Sequence, residues 1–412
     1  MGSPDRRDAQ LICVAAFLRS ATVGLTGVVL AIYLASIGLS AAAIGTIVSS
    51  GLAGAAIATL VVSVTADRSG RRKTLVALAL LTAIGYIALS ISSRFIALAP
   101  IAFVGMLNGM GRDRGAASAL DQAMLPATTG PERRTWGLAW YNLVLDAGHA
   151  VGALAGATPT LLERAFDLSA VTAHRATFMV CAGTIVLGTV PYLLLSDRVE
   201  VRAPAAASSR LARLDHRSRG LVARLTLLFG LDSLGGGFLN STLIAYWFFQ
   251  RYGTSESSVA LLFFTARTLN ALSHVAAAWM ARRIGLVNTM VATHLPSSLF
   301  VMLVPVAPSA AIASALFLAR EALVEMDVPT RQSYLLAIVQ PHERTLASGV
   351  TSVTRNLGWA TGPSLAGFVM QHVAMAGPLY IGSLLKIAYD LLLYVSFHHV
   401  KPPEEASVSL TR

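Results

Sequence analysis

The sequence predicts an all-α membrane protein, with twelve transmembrane helices in two six-helix bundles related by pseudo-twofold symmetry. Of its 412 residues, 55% are hydrophobic and only 13% are charged, whereas about a quarter of a soluble domain is charged. The apolar residues form runs of about 20, the length of a helix that crosses a bilayer core. These runs lack the alternation of a transmembrane β-barrel. Charged turns recur at matching places in two halves of the chain, which indicates an internal duplication.

The duplication is visible in two pairs of short polar turns. The charged turn Ala66–Lys73 separates two apolar runs, and residues 281–285 stand in the same place 215 positions later. Residues 131–135 likewise match residues 341–345 at an offset of 210. Matching turns at matching positions favour one ancestral unit that occurs twice.

Each long apolar run is interpreted as one helix. In the first half, the predicted helices 1 to 6 are Leu11–Ile37, Ala41–Thr65, Thr74–Ser92, Ile96–Met124, Trp136–Leu162 and Ala176–Leu195. In the second half, helices 7 to 12 are Leu221–Phe249, Ser257–Ala281, Thr289–Val306, Ser309–Ile338, Leu346–Val373 and Gly377–Phe397. The predicted domains are therefore an N-terminal bundle (1–196), a flexible cytoplasmic linker (197–220) and a C-terminal bundle with a short cytoplasmic tail (221–412).

The distribution of Lys and Arg predicts the topology. Most basic residues of the predicted loops fall on one side, and the opposite side holds only Arg94, Arg164, Arg175 and Arg251. This bias predicts a multi-pass protein of the inner (plasma) membrane with both termini cytoplasmic. It also explains the net charge of +11 without nucleic acid as a partner.

The two cysteines and the first apolar run exclude other classes. Cys13 and Cys181 both lie inside apolar runs, so we expect no disulfide framework, no metal site and no cofactor. The first run is too long for the apolar core of a cleaved signal peptide and is interpreted as a retained span.

The arrangement of six helices, a central linker and six helices, together with the turn after helix 2, resembles the major facilitator superfamily. Its signature is Gly-x-Leu-Ala-Asp-Arg-x-Gly-Arg-Lys. The matching residues are Ala66, Asp67, Arg68, Gly70 and Arg71, and the departures are Ser63, Thr65 and Arg72. The second copy of the turn has Arg282 in place of the acid.

The resemblance implies roles for the helices and for the turn. Helices 1, 4, 7 and 10 would line a central cavity, helices 2, 5, 8 and 11 would support them, and helices 3, 6, 9 and 12 would face lipid. The gating turn of Asp67, Arg68, Gly70 and Arg71 would hold an inner gate closed. Asp67 would accept hydrogen bonds from the start of helix 11 near Leu346.

Ionisable residues within the predicted spans are the candidate functional residues, because a charge at the bilayer centre costs at least about 2.5 kcal/mol. They concentrate on helices 1, 4, 5, 7, 8 and 10, as expected for a polar path. The proton-coupling candidates are Asp232, Asp327, Asp146, His149, Glu325 and Asp113. The substrate-cavity candidates are Arg19, Arg112, Arg114, Asn240, Arg267, Asn270, Arg320, Glu321 and Arg331. Interior acids and bases are equal in number, which favours internal pairing over a strongly charged cavity.

Helices 10 and 12 carry the clearest charge patterns. On helix 10, helical periodicity places Arg320, Asp327 and Arg331 on one stripe and Glu321 with Glu325 on a second. Pro329 should bend this helix by freeing a carbonyl. The residues Lys386 and Asp390 of helix 12 are four apart, so they are predicted to pair on one face as a structural contact.

Helices 5 and 7 carry acids beside glycines. On helix 5, Asp146 and His149 form either a proton carrier or a static pair, and the glycine face at 148, 152 and 156 suits close helix contact. On helix 7, Asp232 precedes three glycines that should loosen the helix. Asp232 is the leading proton site, and its alternative role is a fixed partner of Arg267 or Arg19.

These patterns predict a secondary active transporter that moves a small solute by alternating access, with proton-coupled efflux by antiport as the preferred mode. Proton-coupled uptake by symport is the first alternative, and a non-transporting membrane receptor or scaffold is the alternative from another class. The expected partners are the solute, protons and the lipid bilayer, for a monomer that binds no nucleic acid. The sequence has no nucleotide-binding loop and no His-Glu-x-x-His, so neither an ATP-driven pump nor an enzyme is predicted.

Overall fold

The computed structural model describes residues 4–113, 115–129, 134–200, 215–340 and 343–400. Within these ranges the regular secondary structure is entirely helical, which confirms the predicted fold class. The chain forms two compact units. Unit 1 contains Met1–Ala207, Asn240–Arg267 and Pro363–His372, and unit 2 contains Ser208–Leu239, Thr268–Gly362 and Val373–Arg412. The predicted bundle limits at 196 and 221 stay a prediction.

The first half of the chain forms nine helices within the described residues. They are α1 (Pro4–Ser36), α2 (Ala41–Ser69), α3 (Arg71–Ile91), α4 (Phe95–Gly105), α5 (Ala116–Thr129), α6 (Arg134–Ala155), α7 (Thr158–Phe166), α8 (Ala170–Leu187) and α9 (Thr189–Leu193).

The second half forms eight helices within the described residues. They are α10 (His216–Phe238), α11 (Ser241–Tyr252), α12 (Glu256–Ile284), α13 (Leu286–Leu303), α14 (Ala310–Val324), α15 (Asp327–Ile338), α16 (Arg344–His372) and α17 (Gly377–Phe397). Over the described part of the whole chain, seven helical stretches are long and apolar enough to cross a membrane.

Several predicted helices are broken, and the prediction of continuous helices at 4, 7 and 10 is corrected here. Residues 106–115 divide predicted helix 4 into α4 and α5, because Met106 and Gly111 adopt positive φ angles of 53° and 70°. Leu239 and Asn240 divide helix 7 into α10 and α11. Backbone that leaves the helix at membrane depth is tolerated only inside protein or beside water. The breaks therefore mark places where polar groups are gathered.

The break in predicted helix 10 confirms the bend expected from Pro329. The helix α14 ends at Val324 and α15 begins at Asp327. A proline removes the amide that would bond the carbonyl four residues earlier, and that carbonyl belongs to Glu325. In helix 7, by contrast, the helix remains regular through the three glycines at 235–237 and ends one residue later, at Phe238. There the side chain of Asn240 accepts a hydrogen bond from the amide of Thr242 at 2.9 Å and caps α11.

The glycine face of α6 makes the predicted close helix contact, and the structure shows that its partner is α1. A Cβ atom at Gly152 would lie 1.9 Å from the carbonyl oxygen of Ala21, and one at Gly148 would lie 2.8 Å from that of Phe17. In unit 2, a Cβ at Gly237 would lie 2.7 Å from the Cα of Gly362. Small residues allow these helix backbones to touch.

Each unit has its own apolar core. In unit 1 the core includes Ile12, Leu75 and Met124, and in unit 2 it includes Leu225 and Met290. Large apolar side chains are exposed on α3, α8, α13 and α17. Exposed apolar surface on this scale is typical of contact with a membrane.

Candidate functional site: two buried charge clusters

Arg19 on α1 is the centre of a buried cluster in unit 1, which we call the arginine cluster. Its Nε donates to Asp113 at 2.5 Å, and its Nη2 donates to Asp121 at 2.8 Å. Nη1 donates to the hydroxyl of Tyr192, and Nη2 also lies 3.4 Å from the hydroxyl of Tyr141. Both tyrosines in turn donate to Asp121. The guanidinium is thus held from α5, α6, α9 and the break before α5.

The broken segment between α4 and α5 positions Asp113. The side-chain oxygen of Asn108 accepts from the amide of Met110 at 2.8 Å, and its Nδ2 donates to the carbonyl of Arg112 at 2.6 Å. The amide of Asp113 donates to Nε2 of His149 at 2.7 Å. Because a backbone amide can only donate, Nε2 of His149 is an acceptor here.

A cavity lies beside the arginine cluster within unit 1. It has a volume of about 80 Å³ and is bordered by α1, α2, α3, the α4–α5 break, α8 and α9. Its polar lining includes Arg19, Asn108, Asp113 and Tyr192, and most of the remaining wall is apolar. The cavity is therefore mostly apolar, and ionic groups of the arginine cluster form part of its wall.

A second buried cluster lies in unit 2, on four different predicted spans. We call it the histidine cluster, and its six members are Asp232, His294, Asp327, Arg331, Lys386 and Asp390. Each is less than a tenth exposed, so the cluster is shielded from solvent. It lies where α14 gives way to α15, as the arginine cluster lies where α4 gives way to α5.

Asp232 bridges two cations in the histidine cluster. Its Oδ1 accepts from Nζ of Lys386 at 2.6 Å, and its Oδ2 accepts from Nη1 of Arg331 at 3.1 Å. Arg331 also donates to Asp327 at 2.7 Å. Three helices, α10, α15 and α17, are joined through this single carboxylate.

His294 on α13 completes the chain of contacts. Its Nδ1 lies 2.9 Å from Oδ1 of Asp390, and its Nε2 lies 3.3 Å from Nζ of Lys386 and 3.7 Å from Oδ1 of Asp232. The predicted pairing of Lys386 with Asp390 is therefore wrong. Each of the two residues points to a different neighbouring helix, where Lys386 meets Asp232 and Asp390 meets His294.

The remaining sequence candidates form separate contacts. In unit 2, Arg320 and Glu321 form an ion pair, Asn270 donates to Glu321 at 2.8 Å, and Glu325 is buried at the end of α14. In unit 1, Arg267 donates to the hydroxyl of Ser241 at 2.6 Å.

Four candidates remain, which are Arg112, Arg114, Asp146 and His149. Arg112 lies in the broken segment, and Arg114 lies outside the described residues. The carboxylate of Asp146 lies 3.9 Å from Nδ1 of His149, on the same face of α6. His149 therefore contacts two other candidates. Its Nδ1 lies near Asp146, and its Nε2 accepts from the backbone amide of Asp113.

The gating turn is built around Gly70, whose φ angle of 95° ends α2 and begins α3. Asp67 accepts from Nε of Arg71 at 2.8 Å, and Arg68 is exposed. The predicted contact of Asp67 with the start of helix 11 stays a prediction.

Glu200 contacts this turn, and the sequence did not predict that contact. Its carboxylate accepts from the amides of Arg71 and Arg72 at 2.7 and 3.0 Å and thereby caps the start of α3. It lies within the stretch interpreted as a linker, and no spacing in the sequence connects it with a turn 129 residues earlier.

Sequence reasoning also missed His294 and treated Lys386 and Asp390 as purely structural. The available signal was the presence of ionisable residues in helices 9 and 12, which the family resemblance assigns to lipid. A charge facing lipid would be too costly, so these residues had to point inwards. Among the described residues, no group of three His, Cys, Asp or Glu side chains is arranged to hold a metal ion.

Comparisons with known proteins give the family of this chain. A family model described as Major Facilitator Superfamily matches residues 12–326 and 225–412. A protein of Saccharomyces cerevisiae described as "Uncharacterized membrane protein YJR124C" is 26% identical over 424 residues, covering 95% of this chain and 94% of that protein.

Solved structures of transporters share the fold at low sequence identity. The nucleoside transporter NupG has a TM-score of 0.78 at 12% identity and covers 95% of this chain and 100% of its own. A D-xylose-proton symporter has a TM-score of 0.73 at 15% identity, with 95% and 98% covered. These likenesses concern the fold, whereas the family model matches the sequence itself. The chain belongs to the Major Facilitator Superfamily and is a multi-pass membrane transporter rather than an enzyme.

Proposed function

We propose that this protein couples the movement of a small solute to the movement of protons, with efflux by antiport as the preferred mode. The observation that carries the proposal is the ionic composition of the histidine cluster. Within this cluster, three carboxylates share two permanent cations and one histidine. Histidine is the side chain that gains or loses a proton near neutral pH.

The charge balance gives this composition a function. With three ionised carboxylates, two cations and a neutral histidine, the six-residue cluster carries one net negative charge. A buried charge without compensation is unfavourable. One added proton makes the same cluster neutral, so the cluster is suited to take up a single proton.

The arginine cluster has the same excess of carboxylates but no histidine among its ionic contacts. Arg19 is the cation that contacts both Asp113 and Asp121 in this part of the described structure. Two tyrosine hydroxyls also donate to Asp121. Along the contacts of the described residues, each cluster therefore holds one carboxylate more than its fixed cations.

The substrate itself is proposed only as a small solute. Arg19, Arg320 and Arg331 are bonded to acids of their own units, which makes them less suited to bind a solute. The other substrate-cavity candidates named from the sequence stay predictions. The nucleoside and D-xylose in the names of the similar structures are ligands of those proteins. At 12% and 15% identity, they identify no ligand here. The proposed location is the plasma membrane, with both termini cytoplasmic.

A reconstitution experiment tests the proposal. The purified protein is placed in liposomes that contain a pH-sensitive dye, and pools of metabolites are offered outside with their uptake read by mass spectrometry. In antiport, a solute that enters drives protons out, so the lumen becomes more alkaline. In symport the lumen becomes more acidic. Solute uptake with no change in lumen pH, and with no dependence on an imposed pH gradient, would contradict proton coupling.

A further inference from the structure

We infer that His294 holds the exchangeable proton of unit 2, and that its protonation moves Asp232 from Lys386 to His294 and releases the Lys386 ammonium. This inference rests on the proposed proton coupling and assigns it to one side chain. The six contacts of the histidine cluster carry the argument.

The contacts of His294 are those expected of one neutral tautomer. An ammonium group has hydrogen-bond donors and no acceptor. Since Nζ of Lys386 lies 3.3 Å from Nε2 of His294, Nε2 is the acceptor and carries no proton. The proton is then on Nδ1, which donates to Asp390 at 2.9 Å. His294 is thus neutral, with one basic nitrogen still available.

A proton on Nε2 and the present position of Lys386 exclude each other. The imidazolium N–H would point at an ammonium 3.3 Å away, and two cations at that distance repel. The nearest alternative partner of Nε2 is Oδ1 of Asp232 at 3.7 Å, which now accepts from Lys386. Protonation therefore favours a change of partner at this oxygen.

The step is a proton transfer followed by an exchange of hydrogen bonds. Hydronium donates the proton, so an O–H bond breaks and an N–H bond forms at Nε2. Lys386 keeps its three protons and loses its bond to Oδ1 of Asp232. The other oxygen of Asp232 stays bonded to Arg331, so the carboxylate remains anchored to α15.

Two glycines of α10 lie beside Lys386. A Cβ atom at Gly235 would be 3.1 Å from Cγ of Lys386, and one at Gly236 would be 3.9 Å from its Nζ. The third glycine, Gly237, packs on Gly362 instead. At Gly235 and Gly236 the lysine therefore meets the backbone of α10 and no side chain of that helix.

Ionisable groups face His294 from three helices. They are Lys386, Tyr389 and Asp390 from α17, Asp232 from α10 and Asp327 from α15, whose carboxylate is bonded to Arg331. The charged residues Arg320 and Glu321 of the adjacent α14 are bonded to each other. After the exchange, the imidazolium would lie between Asp390 and Asp232 and would balance both.

Solid-supported membrane electrophysiology tests this inference with no substrate present. A pH jump across proteoliposomes displaces charge as protons bind, and the midpoint pH of that signal is measured for each variant. Lys386→Met removes a positive charge next to Nε2, so protonation should occur at higher pH. Asp390→Asn removes the negative charge at Nδ1, so the midpoint should fall. Each shift should be about one pH unit or more.

Additional variants separate folding from protonation. His294→Asn keeps a donor for Asp390 but cannot be protonated, so the displaced charge should fall by at least about half. His372→Gln, at an exposed histidine of α16, is the matched control and should leave the signal unchanged. Lys386→Met leaves Asp232 with Arg331, and Asp390→Asn leaves an oxygen to accept from Nδ1. Both variants should therefore fold even where His294→Asn does not.

The outcomes distinguish this inference from the function on which it depends. No displaced charge in the unmodified protein overturns proton coupling itself. A normal signal whose midpoint is the same in Lys386→Met and Asp390→Asn overturns the assignment to His294 and leaves proton coupling intact. Opposite shifts in the two variants support both.

Discussion

The arginine cluster and the histidine cluster lie at matching places in the two halves of the chain but differ in composition. Both lie beside the break in the fourth helix of their half, and both hold more carboxylates than fixed cations along their contacts. In the arginine cluster, one guanidinium contacts two aspartates and two tyrosines. In the histidine cluster, the ionic chain includes a neutral ring with a basic nitrogen.

The arginine cluster is a static set of ionic contacts, which we call a lock. The histidine cluster contains a side chain that can change its protonation state. Every contact of Arg19 described above joins a permanent cation to an acceptor, so no proton needs to move to maintain it. His149, the nearby histidine, accepts from the backbone amide of Asp113 and not from Arg19. In unit 2, the histidine is part of the ionic chain itself. We therefore expect unit 1 to respond to mutation mainly in stability and unit 2 mainly in coupling.

The largest expected effect is that of Arg19→Met. Removing the guanidinium leaves Asp113 and Asp121 buried without their shared cation, and loss of one partner of a buried ion pair costs about 3–5 kcal/mol. Thermal unfolding of the purified protein in detergent measures this loss. Combining the change with Asp121→Asn should recover part of it, because one orphaned charge is removed. A stability equal to that of the unmodified protein would show that the lock is not needed.

Asp232→Asn should have the next largest effect, and Asp327→Asn provides the comparison. Both changes should abolish the solute-driven change in lumen pH. Asp232 bridges two cations and Asp327 contacts one, so the loss of stability should be about 3 kcal/mol for Asp232→Asn and smaller for Asp327→Asn. Unchanged coupling in both variants would remove these residues from the mechanism.

Gly152→Ala tests whether close packing of α1 on α6 maintains the arginine cluster. The added methyl would lie 1.9 Å from a carbonyl oxygen, so the two helices must separate. The expected loss of stability is about 1–3 kcal/mol. Gly183→Ala is the matched control, because a Cβ there meets no atom within 4 Å. Equal unfolding temperatures for the two variants would show that this contact contributes little.

The smallest expected change in stability is that of Asp67→Asn. The carboxylate is 45% exposed and pairs with Arg71 within one helical turn, and such surface pairs contribute about 0.5 kcal/mol or less. If the turn gates transport, as the family resemblance implies, the transport rate should fall while the unfolding temperature stays the same. A rate that also stays the same would leave the turn with an orienting role alone.

Several of these features could be predicted from the sequence because they depend on local rules. The helix positions follow from the length of the apolar runs, and the break at Glu325 and Met326 follows from Pro329. The contact face of α6 follows from its glycine spacing. Asp232, Asp327 and Arg331 were all selected as candidates, and the structure brings them together.

The partners could not be predicted, because helical periodicity shows which residues share a face and not which helix lies opposite. Lys386 and Asp390 are in register for a pair, yet α10 and α13 provide closer partners. The break in helix 4 depends on a left-handed Met106, and methionine gives no signal for that conformation. Glu200 reaches the gating turn only through the folded path of the chain.

The most direct measurement of the central claim is the protonation state of His294 itself. Protein labelled with nitrogen-15 histidine can be studied by solid-state NMR in lipid, and His294→Asn identifies the signals of this ring. At alkaline pH the ring should carry its proton on Nδ1 alone. Over the pH range in which transport is coupled, Nε2 should become protonated as well. A ring that keeps the same protonation state throughout that range would contradict the account.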